Sequence, residues 1–167
     1  MVKITLADKV KLSLAGGGDL VANGDFSTVT TGWTAGASAI LASAGAGKSG
    51  NCLSITENGA NVPYAYQVDS VNAGRRYKMT CYIKAGTENQ YTITIYDVSN
   101  SASIYASETL TESAGDWSTD FSYTFTAPAG CSQVRLYLNS RSLNGEGKVI
   151  YFDSVTLKEI PTKVTLA

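Results

Sequence analysis

Residues 77–84, Tyr-Lys-Met-Thr-Cys-Tyr-Ile-Lys, alternate apolar and polar side chains with period two. Successive side chains of an extended chain point to opposite sides, so this period predicts a strand with one buried face. Tyr77, Met79, Cys81 and Ile83 then face inward, and Lys78, Thr80, Tyr82 and Lys84 face outward. Residues 91–96 repeat the pattern, with Tyr91, Ile93 and Ile95 inside. Phe121, Tyr123 and Phe125 make a third inward row. Val134, Leu136 and Leu138 make a fourth and leave Arg135, Tyr137 and Asn139 outside. Residues 62–71 and 149–157 complete the clear strands, and residues 51–56 also alternate. The Ala/Gly/Ser-rich stretch 35–50 predicts a weak edge strand followed by a loop.

Turn signals separate these runs: Asn58-Gly59, Asn72-Ala73-Gly74, Ala114-Gly115-Asp116, Ala127-Pro128-Ala129-Gly130 and Asn144-Gly145. Short strands with regular turns and no long amphipathic window predict an all-β fold. The expected form is a two-sheet antiparallel sandwich of roughly eight to ten strands. Abundant Ser, Thr, Ala and Val, with 10 Tyr and 16 Gly, agree with that.

Length and charge narrow the function classes. A chain of 167 residues fits one domain and can bury a core without metal or disulfide. The net charge is −1 and no basic stripe is visible, which argues against nucleic acid as a partner. No apolar run approaches the ~20 residues that span a bilayer, so membrane insertion is not expected. The first eight residues are interrupted by Lys3 and Asp8 and lack the apolar core of a secretory signal. Of three cysteines, Cys81 falls on a core-facing position, and buried reduced thiols are favoured for Cys52, Cys81 and Cys131. Together these features predict synthesis and folding in a reducing cytoplasm.

The chain contains no histidine, which removes Ser-His-Asp and Cys-His nucleophiles and the usual catalytic zinc sets. Paired carboxylates could still cleave glycosides. Yet Glu57, Glu88, Asp97, Glu108, Glu112, Asp116, Asp120 and Glu146 are scattered beside turns, and solvated surface acids are expected there. An enzyme is therefore not expected. Residues 42–49, Ala-Ser-Ala-Gly-Ala-Gly-Lys-Ser, approach a phosphate-binding loop, but Ala42 stands where Gly is needed and a strand-like run follows. A turn-rich loop is the reading adopted.

Two motifs stand at opposite ends of this pattern. Asn23-Gly24-Asp25-Phe26 followed by Gly32-Trp33 opens it, and Tyr151-Phe152-Asp153-Ser154-Val155-Thr156-Leu157 closes it. With the alternating strands between, the chain resembles carbohydrate-binding modules of the family 4/9/16/22 type. The resemblance runs from about Leu20 to Glu159 and implies a jelly-roll sandwich whose work is recognition rather than bond cleavage. It divides the chain into an N-terminal arm (1–19), the jelly roll (20–160) and a C-terminal arm (161–167).

The resemblance also implies site residues. Its relatives often hold a structural calcium where first and last strands meet, bound by an acid after the Phe of the first motif, the Asp of the last and backbone carbonyls. Asp153 matches the second acid, whereas Ser27 stands where many relatives have Glu, and Asp25 is the available substitute. Fewer carboxylates bind calcium more weakly. The other reading is that Asp25 makes a turn and Asp153 caps a bulge. No other cofactor is required. Trp33 and Trp117 match positions where the family packs the sandwich edge. Outward Tyr82, Tyr96 and Tyr137 could stack on sugar rings, with Gln67, Arg135 and Asn139 bonding the hydroxyls, although Tyr is also an ordinary strand residue.

The arms carry their own signal. Residues 2–7, 10–15 and 163–167 are similar to one another and β-prone, and Gly16-Gly17-Gly18 separates the first two copies from the module. Such arms can add strands to a neighbour's sheet edge, or pair with each other or with their own sandwich. A signal-free, cytoplasm-made module with such arms resembles a bacteriophage virion surface component, either a capsid decoration protein or a tail-associated adhesin. Its partners would then be a glycan, neighbouring virion proteins along residues 1–19 and 161–167, and further copies of itself. The alternatives are a purely structural cement protein and a sugar-binding module belonging to a secreted glycoside hydrolase.

Overall fold

A computed structural model describes residues 17–112, 115–117, 121–141 and 147–161. The strands, in chain order, are β1 (Thr34–Ala35), β2 (Ala39–Ala44), β3 (Cys52–Glu57), β4 (Tyr64–Ser70), β5 (Arg76–Ala85), β6 (Gln90–Asp97), β7 (Ala102–Ala106), β8 (Leu110–Thr111), β9 (Phe121–Thr126), β10 (Gln133–Ser140) and β11 (Val149–Ile160). They form two antiparallel sheets, ordered β1-β4-β10-β6-β7, with β8 also on β6, and β2-β3-β11-β5-β9. This is a jelly-roll sandwich, as the period-two rows predict. The bulk of both terminal arms lies outside the described residues, as do Asp120 and Glu146.

The predicted inward rows meet between the sheets. Met79, Cys81 and Ile83 of β5, Ile93 and Ile95 of β6, and Leu136 and Leu138 of β10 have no exposed surface. Burial of such side chains contributes roughly 1.5–3 kcal/mol each, which makes this interior the main source of stability. The β9 row is the exception. Phe125 is buried, but Phe121 and Tyr123 are only half-buried because β9 ends its sheet, and both rings lean on Tyr105. The three cysteines are free and buried. Cys131 shows what this does to a thiol, for burial and the neighbouring Asp97 push it up to about 11.

The two end motifs meet in space. Val155 donates its amide to the Gly24 carbonyl (2.9 Å), Leu20 to the Leu157 carbonyl (2.8 Å), and Leu157 to the Asp19 carboxylate (2.9 Å). A Cβ on Gly24 would collide with the Val155 carbonyl, so the approach requires glycine. The side chain of Asn23 donates to the carbonyls of Val29 and Thr31 and accepts the amide of Thr28. That folds the loop so that Phe26 drops into the core against Trp33. The first motif is thus a lock closing the sandwich. Asp19, at the expected arm boundary, already bridges to Lys158 of β11.

Candidate functional site

The sheet containing β4, β10 and β6 carries an aromatic outer face. The register sets Tyr137 of β10 opposite Tyr66 of β4, Arg135 opposite both Val68 of β4 and Tyr96 of β6, and Asn139 opposite Tyr64. Paired strands lie roughly 5 Å apart and same-face residues roughly 7 Å apart along a strand, so these side chains form one patch. Three tyrosine rings touch: Tyr64–Tyr137 at 5.4 Å between centroids, Tyr66–Tyr137 at 5.9 Å and Tyr64–Tyr66 at 6.2 Å. The Arg135 guanidinium carbon lies 4.7 Å from the Tyr66 centroid, and its Nη1 donates to the Tyr137 hydroxyl at 2.9 Å. That bond and the surrounding phenols raise the Arg135 pKa further. Asn139 donates to the Thr92 carbonyl (3.2 Å), which leaves its amide oxygen free of that bond.

Every ring here is half-buried, and Arg135 lies over that of Tyr66. Such a platform suits a flat ligand with apolar faces and polar edges. Tyr64 is positioned from below β1: Gly36 donates to the Tyr64 carbonyl (2.8 Å), and a Cβ on Gly36 would strike the Tyr64 ring.

Of the residues expected to bind, Tyr96, Arg135, Tyr137 and Asn139 are brought together. Tyr82 is not. It lies on β5, in the other sheet, so its outward direction is opposite to theirs. The loop between β2 and β3 covers it: the Lys48 ammonium sits 3.1 Å from its ring centroid. Gln67 is also corrected. Its side chain points inward and is buried, accepting the Ala22 amide (2.6 Å) and donating to the carbonyls of Ala22 (3.0 Å) and Gly32 (3.1 Å). Buried and bonded to three backbone groups of the loop, Gln67 is a tether and does not stand on the tyrosine face. Sequence reasoning missed Tyr64 and Tyr66. The available signal was the period of residues 64–70, which puts both on the face opposite buried Ala65.

Asp153 is fully buried beneath the same β2–β3 loop. One carboxylate oxygen accepts the Ser154 amide (2.6 Å) and the other the Ser49 amide (3.2 Å). Burial raises its pKa, and the amides partly oppose that. The Trp117 indole holds the loop from its other side, donating to the Ala46 carbonyl (3.1 Å). Asp25 is exposed and turned to its own loop. It accepts the Ser27 amide (3.2 Å) and hydroxyl (3.0 Å), which lower its pKa. Calcium needs six to eight oxygens. Among the described residues no three His, Cys, Asp or Glu side chains gather; Asp153 gives both carboxylate oxygens to amides, whereas Asp25 gives one oxygen to both Ser27 donors. The expected pair thus lies close enough for the Asp25 charge to act on Asp153, and it offers at most one carboxylate oxygen not already engaged by an N–H or O–H donor.

The expectation of solvated acids also needs correction. Glu57, Glu88, Asp97 and Glu112 are buried. Three serve local bonds: Glu88 accepts the amides of Asn89 and Gln90, Asp97 accepts Asn100, and Glu112 accepts the Tyr91 hydroxyl. Desolvation and the Glu112 bond drive the Tyr91 hydroxyl pKa far up. Asp69 is the unusual one. It is 6% exposed and one carboxylate oxygen has no partner. Burial, and secondarily Asp19, raise its pKa to about 7. Among the described residues no helix is long and apolar enough to cross a membrane.

Comparison with solved structures gives the same architecture. A structure described as "CBM4 structure and function" is 20% identical, covering 83% of this chain and 99% of that one, with a TM-score of 0.64. The CBM22-1 xylan-binding domain of Paenibacillus barcinonensis Xyn10C is 14% identical over 80% of this chain and 89% of that one, with a TM-score of 0.63. The enzymatically active domain of tailspike protein 4 of bacteriophage CBA120 is 13% identical over 85% of this chain, with a TM-score of 0.63. The match spans only 21% of that longer chain. No curated protein matches. At these identities the likeness is one of fold. Residues 18–145, well over half of the sequence, match the family described as Carbohydrate binding domain (CBM_4_9), and the chain belongs to that family.

Proposed function

We propose that this protein is a non-catalytic glycan-binding module whose ligand lies on the outer face of the β4-β10-β6 sheet. The observation that carries the reading is the contact of Tyr64, Tyr66 and Tyr137 in one half-buried platform, with Arg135, Asn139 and Tyr96 around it. Sugar rings stack their apolar faces on aromatic rings, and polar neighbours select their hydroxyls. Membership of a carbohydrate-binding family supports the same reading. Catalysis is not part of it, because no acid stands on the outward face of β4, β10 or β6.

The setting we propose is a bacteriophage virion, as a capsid decoration protein or tail-associated adhesin, with arms 1–19 and 161–167 joining neighbouring proteins or further copies. The fold shared with a bacteriophage tailspike domain supports it. A second setting, a module of a glycoside hydrolase, is favoured by the likeness to the CBM22-1–GH10 xylanase of Clostridium thermocellum. Affinity electrophoresis in polysaccharide gels tests the function. The reading expects retardation by at least one glycan without release of reducing ends. Failure to bind any glycan, or turnover of one, overturns it. Flanking genes decide the setting: capsid and tail genes support the first, a glycosidase reading frame the second.

A further inference from the structure

We propose that the glycan is anionic, a saccharide bearing carboxylate or sulfate groups, and that Arg135 is the residue that selects it. This rests on the platform reading above and adds the chemistry of the ligand. The outward positions of the three central strands carry one charged side chain, Arg135. Their two acids, Asp69 and Asp97, point inward and are buried.

A half-buried guanidinium ordinarily meets a carboxylate, because losing water disfavours an unpaired charge. Here no carboxylate among the described residues pairs with it, and the groups that act on its charge are the hydroxyls of Tyr137, Tyr66 and Tyr64. Nη1 is committed to Tyr137, while Nε is buried without a partner. Its contact with the Tyr66 ring, 4.7 Å from carbon to centroid, and the Tyr137 bond hold the group beside the rings. The result is a pre-positioned cation beside the tyrosine cluster, with no carboxylate partner among the described residues. A neutral sugar leaves that charge uncompensated; a uronate or sulfated sugar neutralises it while its ring stacks.

The test compares polygalacturonate and hyaluronan with carboxyl-reduced polygalacturonate, xylan and mixed-linkage β-glucan, by affinity electrophoresis and calorimetry. Binding should favour an acidic polymer and drop about tenfold or more on carboxyl reduction or in Arg135→Gln. Arg135→Lys should retain part of it, and raising sodium chloride from about 50 mM to about 500 mM should weaken it. Circular dichroism of each variant separates lost binding from lost fold. Neutral polymers binding as well as acidic ones, with Arg135→Gln unchanged, would overturn the anionic specificity and leave the platform standing. Binding to none of them would overturn both.

Discussion

Three buried polar side chains show how differently a residue can serve this fold. Gln67 satisfies three backbone groups of the loop before β1 at once. Each such bond contributes about 1 kcal/mol net, and orphaning a buried partner costs more. Gln67→Ala should therefore lower stability by about 2–4 kcal/mol in urea denaturation. Below its lowered melting point it should keep its glycan affinity, since Gln67 is not on the platform. Asp69 behaves in the opposite sense. Its folded-state pKa is raised from 3.8 to about 7, so between those values the folded protein keeps a proton that the unfolded chain releases. Stability from this group is complete below about pH 4 and is lost as pH rises through about 7, a difference on the order of a few kcal/mol. Asp69→Asn should raise the melting temperature at pH 8 and have little effect near pH 4. A variant less stable than the parent at pH 8 would mean the carboxylate is paired. The period of residues 64–70 puts Gln67 and Asp69 on the inner face with Ala65, but it does not show the loop backbone that Gln67 bonds or the unpartnered oxygen of Asp69.

At the level of elements, the loop between β2 and β3 is clamped by Asp153, Trp117 and Lys48 over the outer face of one sheet. The bulge beside Asp153 in β11, where Ser154 takes a positive φ of 49°, turns the carboxylate to meet the loop amides. Asp153→Asn presents N–H to N–H and should destabilise the fold by about 1–3 kcal/mol. Since the carboxylate acts here on amides, calcium or a chelator should leave the melting temperature of the parent unchanged. A calcium-dependent rise lost in Asp153→Asn would return Asp25 and Asp153 to the role of ligands. On the other sheet, Gly36→Ala should displace the Tyr64 ring and weaken glycan binding without altering any group that touches the ligand. Period-two alternation made the inward rows legible residue by residue. It could not say which sheet a strand joins. β5 and β6 are consecutive and both carry an outward tyrosine, yet the chain between them crosses from one sheet to the other, so Tyr82 and Tyr96 look away from each other.

For the whole molecule, a sandwich offers two outer faces, and the central claim is that they have different work. On one, the β2–β3 loop lies over the outward tyrosine, with Lys48 above Tyr82. The other leaves Tyr66, Tyr137 and Arg135 half-exposed for a ligand. The end motifs build the lock between the first loop and β11, which is structural work. For the same reason they are silent about the glycan, since the proposed platform is built from other side chains. The most direct test is amide chemical-shift mapping of the labelled protein titrated with the polysaccharide that retards it best. The account predicts shifts confined to β4, β10 and β6 around Tyr66, Arg135 and Tyr137, abolished in Tyr66→Ala and Tyr137→Ala and preserved in Tyr82→Ala. Shifts centred on Lys48, Tyr82 and the β2–β3 loop, with the first two variants binding normally, would contradict it.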